Sequence, residues 1–377
     1  MSTGTKNILI CPLDWGLGHA TRCVPIIKMF INAGANVIIG ADNRPLAFLK
    51  KEFPNLQFIV IKGYNISYPE KGSMVLKMFF SFPKILKLIR KEHNTLKRII
   101  SDNSIDIVIS DNRFGLWNKS VKSVFITHQL IVKCPKWLNF FEYLLMKMNK
   151  YFINKFDECW VPDKGNFKLS GELSENFKSF KNTHLIGLLS RFNEYNFNLN
   201  SNIKYDILFI LSGPEPQRTV FENIILNQLK GKSNFNFLIV RGLAESTFSK
   251  NVQENILMVD HLETNNLLKA ILESEIIICR PGYSSIMDIV TLGKKAIFVP
   301  TPGQTEQEYL AKYYKKKGLF YSIKQNKFSI FRSLEKSKFY PGMKVKYDNS
   351  ELAERVDLLM IGSLKPKDIV TNQFKNM

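Results

Sequence analysis

The segment SEIIICRPGYSSIMDIVTLGKKAIFVPTPGQTEQEY, residues 274–309, constrains the fold more than any other part of the chain. Ile276, Ile277 and Ile278 form a β-branched apolar run, Gly282 and Ser284 open a turn, Ile286 to Leu292 has helical spacing, and Ala296 to Val299 is again strand-like. Strand, helix and strand in that order predict a βαβ unit with two parallel strands. Open parallel sheets hold ligands at the carboxyl ends of their strands, which places Arg280, Ser284, Ser285 and Gln304 at a binding edge. The start of the intervening helix adds amides that favour an anion there.

The same alternation runs through the whole chain. Ile8–Cys11, Asn36–Ile39, Phe58–Ile61, Asp106–Ser110, Ser123–Thr127 and Glu158–Val161 read as one series of strands. Asp206–Leu211, Asn236–Val240, Ile256–Val259, Glu275–Cys279 and Ala296–Val299 read as a second. A length of 377 residues suits two such α/β domains, each with its own core. We place the first at residues 1–186 and the second at 187–350, joined at HLIGLLSRF (184–192); a helical segment at 351–377 is expected to pack back on the first.

The N-terminus, NILICPLDWGLGHATR (7–22), is a strand, a Gly-rich turn and a helix start. Gly16 and Gly18 let the backbone approach a substrate, and His19 at the turn can exchange a proton near neutral pH. Two further polar turns follow strands: SDNRFG (110–115), whose Asp111 is the next candidate base, and THQL (127–130), with His128 after it. Asp111 and Arg113 can alternatively pair with each other across their turn.

These motifs resemble glycosyltransferase family 28, the GT-B family of the MurG-type N-acetylglucosamine transferases and the monogalactosyldiacylglycerol synthases. In that family an Arg-x-Gly turn, a hydroxyl residue and an acid that holds ribose follow one another, and Arg280, Gly282, Ser284 and Asp288 stand at those steps, the acid one methylene shorter. A Gln-Gln pair that grips the donor sugar is matched by Gln307 and Glu308, with Gln304 one turn earlier. The family's first loop ends in Gly-His beside the acceptor, as Gly18-His19 does here. Its domain join carries a phosphate-reaching Arg, matched by Arg191, although the Asn-Pro centre of that join is absent. LSGPEPQRT (211–219) takes the place of a Gly-Gly-Ser phosphate loop. Pro214 and Pro216 lack N–H groups, which shifts the burden to Ser212, Gly213 and Arg218.

The resemblance implies two Rossmann-like domains facing a cleft, a UDP-sugar as co-substrate, a lipid-linked or other glycan acceptor, and an inverting reaction that needs no metal. No Asp-x-Asp metal motif stands in the sequence, and five Cys without a CxxC pair argue against zinc and for reduced thiols in a cytoplasmic protein. The net charge of +20 calls for an acidic partner, or else reflects a general compositional bias in which Lys is abundant throughout. Residues 74–98 interleave Phe79, Phe80, Phe82, Ile85 and Leu86 with Lys77, Lys84, Lys87, Arg90 and Lys91, a basic amphipathic segment suited to an anionic membrane surface. The basic residues form no nucleic-acid recognition module, and the Gly-rich turn lacks the third Gly of a dinucleotide fingerprint. An epimerase of the same fold and a non-catalytic nucleotide-sugar-binding protein are the alternatives.

Overall fold

The computed structural model describes residues 5–64, 82–134, 138, 140–165, 168–175, 177–193, 202–231, 233–246 and 248–361. Two seven-stranded sheets divide them. The first has strands β1 (Asn7–Pro12), β2 (Asn36–Ala41), β3 (Gln57–Val60), β4 (Ile107–Asp111), β5 (Lys122–Ile126), β6 (Glu158–Val161) and β7 (Thr183–Leu185), in the order β3-β2-β1-β4-β5-β6-β7. Every neighbouring pair in it is parallel. Its helices are α1 (Gly18–Asn32), α2 (Asn43–Glu52), α3 (Phe82–Asn103) and α4 (Phe140–Ile153). Helices cover both faces, so β1 and β4 are apolar and buried along nearly their whole length.

The second sheet contains β8 (Tyr205–Ile210), β9 (Phe237–Val240), β10 (Ser249–Gln253), β11 (Ile256–Val259), β12 (Ser274–Cys279), β13 (Ala296–Phe298) and β14 (Tyr321–Ser322), ordered β10-β11-β9-β8-β12-β13-β14. All are parallel except the edge strand β10, which runs antiparallel to β11. Its helices are α5 (Gln217–Leu229), α6 (Thr264–Leu272), α7 (Tyr283–Leu292), α8 (Thr305–Lys316), α9 (Ile330–Ser337) and α10 (Ser350–Ile361). Helix α10 follows the second sheet in sequence yet lies against α1, and Lys6 of the first half donates its ammonium to the Leu359 carbonyl at 3.1 Å.

The halves are not separate globules. One apolar cluster runs from β1 and α1, through Leu188, Leu189 and Phe192, to Ile286 and Ile289 of α7. In both sheets the strand order reverses at the centre, between β1 and β4 in the first and between β8 and β12 in the second. The loops leaving those strands diverge there and open a crevice.

Candidate active site

The first crevice brings His19, Asp111 and His128 together. Asp111 ends β4 beside β1, and His19 stands in the first turn of α1, after the loop that leaves β1. Gly16 turns that loop with φ +79°, a conformation other residues adopt only at a cost. Gly18 admits the second half, for a Cβ there would stand 3.3 Å from Ser284 Oγ, and the Ser284 hydroxyl donates to the Gly18 carbonyl at 2.7 Å.

Both Asp111 oxygens lie 3.2 Å from His19 Nδ1. Arg22, one turn along α1, donates Nε to Asp111 Oδ2 at 2.8 Å, forms a second bond to Oδ1, and puts its other amine nitrogens 2.9 Å from His19 Nδ1 and 2.8 Å from His128 Nδ1. His128 Nε2 lies 3.0 Å from Glu306 Oε1 on α8, and its ring stacks on Tyr283 of α7 at 4.3 Å and 6°. Five polar groups from both halves thus form one connected network.

Burial alone would push the Asp111 carboxyl up, but Arg22 and His19 outweigh it and hold it well below the usual carboxylate range. Burial lowers His19 below the ordinary imidazole value, against the pull of Asp111 and with the help of Arg22. Glu306 is held down, in spite of burial, by His128, His19 and Arg22. Asp111 therefore does not pair with Arg113; that guanidinium is buried against Glu92, at 2.6 Å, and the carbonyls of Ile61 and Lys62.

The second crevice gathers Ser212 and Gly213 after β8, Arg280 and Gly282 after β12, and Thr301 and Gln304 after β13. Arg280 is buried; it donates to the Val299 and Gln217 carbonyls and to Gln325, and stacks over Phe221 at 4.4 Å. No ion pair to it occurs among the described residues, and burial lowers it to about 9. Arg280 Nε, Thr301 Oγ1 and Gln304 Oε1 are buried without hydrogen-bond partners among the described residues. Buried polar atoms of that kind call for a ligand or water.

Helices α7 and α8 both begin here without a side-chain cap, at Gly282 and Gln304. The first turn of α7 has no acid and carries Ser284 and Ser285, whereas that of α8 carries Glu306 and Glu308. The start of α7 therefore favours an anion and the start of α8 disfavours one. Gln307 accepts from the Thr301 amide at 2.8 Å and Glu308 from the Gly303 amide at 3.1 Å.

Asp288, the expected ribose holder, accepts the Ser190 hydroxyl at 2.6 Å and lies 3.5 Å from Arg191 Nε; burial raises its carboxyl even so. Arg191 stands over the Phe192 ring at 5.1 Å, so in this state it pairs within the join. Arg218 is engaged by Glu215 at 2.7 Å, Glu222 at 2.8 Å and Thr219 at 3.0 Å. Of the network, Arg22 and Glu306 were not read from the sequence. His19 and Arg22 are three apart and so share a helix face, a signal that was there to use; Glu306 has none, because its partner is 178 residues away.

Residues 207–338 match the family described as glycosyltransferase family 28 C-terminal domain. The chain carries that domain. A Methanosarcina mazei protein named only as an uncharacterized glycosyltransferase is 23% identical over 330 residues, 80% of this chain and 81% of that one. Acinetobacter baumannii MurG superposes with a TM-score of 0.53 at 14% identity, covering 94% of this chain and 99% of that chain. A Listeria monocytogenes structure assigned as a UDP-N-acetylglucosamine 2-epimerase gives 0.59 at 12%, covering 95% and 96%. At such identities the structures speak for the GT-B fold; with the family domain, they make this chain a GT-B glycosyltransferase.

Proposed function

We propose that the chain is an inverting glycosyltransferase that moves a hexosyl or N-acetylhexosaminyl group from a UDP-sugar to a hydroxyl of a lipid-linked or other cell-envelope glycan, at the inner face of the cytoplasmic membrane. The observation that carries the reading is His19, backed at Nδ1 by both oxygens of Asp111 and set beside the start of α7 in the family 28 domain. In the tautomer that carries the proton on Nδ1, donated to Asp111 while the Arg22 Nη2 hydrogens go to Asp111 Oδ1 and not to the ring, Nε2 keeps a lone pair, and the lowered basicity keeps the ring neutral at pH 7. Nε2 takes the acceptor proton as the acceptor oxygen attacks the anomeric carbon from the face opposite UDP. The bond to the diphosphate oxygen breaks and UDP leaves with the electron pair; Asp111 stabilises the imidazolium.

The leaving diphosphate is met by the uncapped start of α7, with Ser284, Ser285, Ser212, the Gly213 amide and the buried charge of Arg280 behind it. Arg191 and Arg218 join it on leaving their present partners. The acidic start of α8 suits sugar hydroxyls, with Gln304, Gln307 and Glu308 as their partners. Asp288 exchanges the Ser190 hydroxyl for the ribose hydroxyls. The membrane face is α3 together with α4. The test is calorimetry with UDP and a panel of UDP-glucose, UDP-galactose and UDP-N-acetylglucosamine. Asp288→Ala is expected to weaken UDP binding by about 1–3 kcal/mol, and His19→Ala to bind UDP normally and lose about 10²- to 10⁴-fold in turnover. Unchanged UDP affinity would reduce Asp288 to a residue of the join, and a UDP-sugar converted to its epimer without an acceptor would favour the epimerase reading.

A further inference from the structure

Helix α8 of the second half is hydrogen-bonded to the first half at several points. Tyr313 and Tyr314 donate their hydroxyls to the Lys168 and Leu169 carbonyls at 3.2 and 2.7 Å, and the Tyr309 oxygen accepts from the Glu172 amide at 2.7 Å. The same helix begins with Gln304, Gln307 and Glu308, and its Glu306 turns the other way, into the network of the first crevice.

On the His128 side of that network the hydrogen bonds have a definite sense. Arginine only donates, so His128 Nδ1 accepts from Arg22 at 2.8 Å. The ring proton then sits on Nε2 and is donated to Glu306 at 3.0 Å. Removal of the carboxylate leaves that N–H without its acceptor and Arg22 with Asp111 as its remaining network carboxylate, and Arg22 is what holds Asp111 against His19.

We propose that Glu306 is a positioning residue, coupling the donor-side helix α8 through His128 and Arg22 to the His19–Asp111 pair, so that the base is set when the two halves are together. The proposal rests on the reading of His19 as base. Glu306 does not touch the reacting atoms; a displacement of the start of α8 reaches His19 through two intervening side chains.

The test is ring-nitrogen NMR of the histidines in the full chain, for wild type, Glu306→Ala and Glu306→Gln. The charged groups facing His19 are Asp111 from β4, Arg22 from α1 and Glu306 from α8, with His128 beyond Arg22; those facing His128 are Arg22, Glu306 and the Tyr283 hydroxyphenyl ring of α7. Both variants remove one negative charge, so the His19 titration is expected to move down by about half a unit in both. Gln keeps an acceptor oxygen, so the Nε2–H signature of His128 is retained in Gln and lost in Ala. UDP release from whichever panel sugar binds should fall in kcat more than in KM, with Gln retaining more than Ala, and the Kd for UDP should stay within about threefold. A His19 titration that ignores both substitutions overturns the coupling, as does a Gln variant no better than Ala. If Ala does not fold, the His19 shift in Gln alone decides. A wild type that binds no UDP sinks the donor reading instead, while the His19 shift still reports the coupling.

Discussion

Asp111 and Glu92 are both buried acids that hold a buried arginine, Arg22 and Arg113 respectively, and their fates under mutation test the catalytic role proposed for the first pair against a structural one. Glu92 also accepts from the Tyr64 hydroxyl at 2.7 Å and the Gly115 amide at 2.9 Å, bonds that tie α3 to the loops after β3 and β4. Removal of one partner from such a pair leaves an uncompensated buried charge, at about 3–5 kcal/mol. Asp111→Asn and Glu92→Gln are therefore both expected to lower thermal stability by amounts of that order. Turnover per folded molecule should collapse in Asp111→Asn alone, because Glu92 has no contact with His19. Equal activity in the two would detach Asp111 from catalysis. His19, Asp111 and His128 were legible because each is a polar residue in a turn leaving a buried strand. Pairing was not, since the choice of Arg22 over Arg113 for Asp111 depends on which side of the sheet each guanidinium approaches.

At the scale of elements, the long buried strands were legible to within a residue or two, because continuous apolar runs bounded by polar residues have few other homes. β7, β10 and β14 were not read. β10 is an exposed edge with the polar sequence SKNVQ, β14 has two residues, and β7 has three residues that run into the join. The basic segment at 74–98 reads differently in the structure. Residues 74–81, with Phe79 and Phe80, lie outside the described residues, as does the Phe82 side chain. Within α3, Ile89, Glu92, Leu96 and Ile99 face inward and Lys84, Lys87, Arg90, Lys91, Lys97 and Arg98 face out. Ile85 and Leu88 pack in one cluster with Trp15 and with Phe152 of α4, and α4 itself exposes Phe140, Tyr143, Leu144 and Tyr151. Each basic group near an anionic surface contributes about 1 kcal/mol, and inserted aromatic and Leu side chains add apolar burial. Vesicles containing anionic lipid should sediment the protein, with binding weakened by salt. Tyr143→Ser/Leu144→Ser is expected to reduce association about tenfold without loss of fold, since both side chains are exposed. A triple Lys312, Lys316 and Lys324 to Gln variant should change it little; the reverse ranking would assign the binding to overall charge.

For the molecule as a whole, two α/β halves were legible from the repeated period, but their fusion into one packed body was not, because the contacts that join them are single residues far apart in sequence. Thr264 donates its hydroxyl to Glu52 at 2.6 Å, Tyr283 to the Pro162 carbonyl at 2.6 Å, and Lys51 its ammonium to the Ala244 carbonyl at 2.9 Å. Histidines are caught in this seam. Burial lowers His19, His184 and His261, and His261, beside Arg191 and Lys51, falls to about 4. A histidine held neutral in the folded state binds its proton more readily in the unfolded chain, where its pKa is about 6.5. Between that value and the lowered folded ones the unfolded state carries the extra proton, so stability rises with pH and falls as the solution is acidified. Asp288 and Glu351, raised by burial, oppose this by favouring the folded state at lower pH. Asp111, Asp260 and Glu306 are lowered and add their own loss only below the ordinary carboxylate range. The net expectation is a Tm that drops steadily from pH 7 to pH 5, before the carboxylates protonate. His261 has a buried Nε2 with no hydrogen-bond partner among the described residues, which makes it the substitution of choice. His261→Gln cannot take up a proton, so its Tm should fall less over the same interval than that of the wild type, whatever its Tm at pH 7. Parallel curves for the two proteins would show that the seam between the halves does not feel this titration.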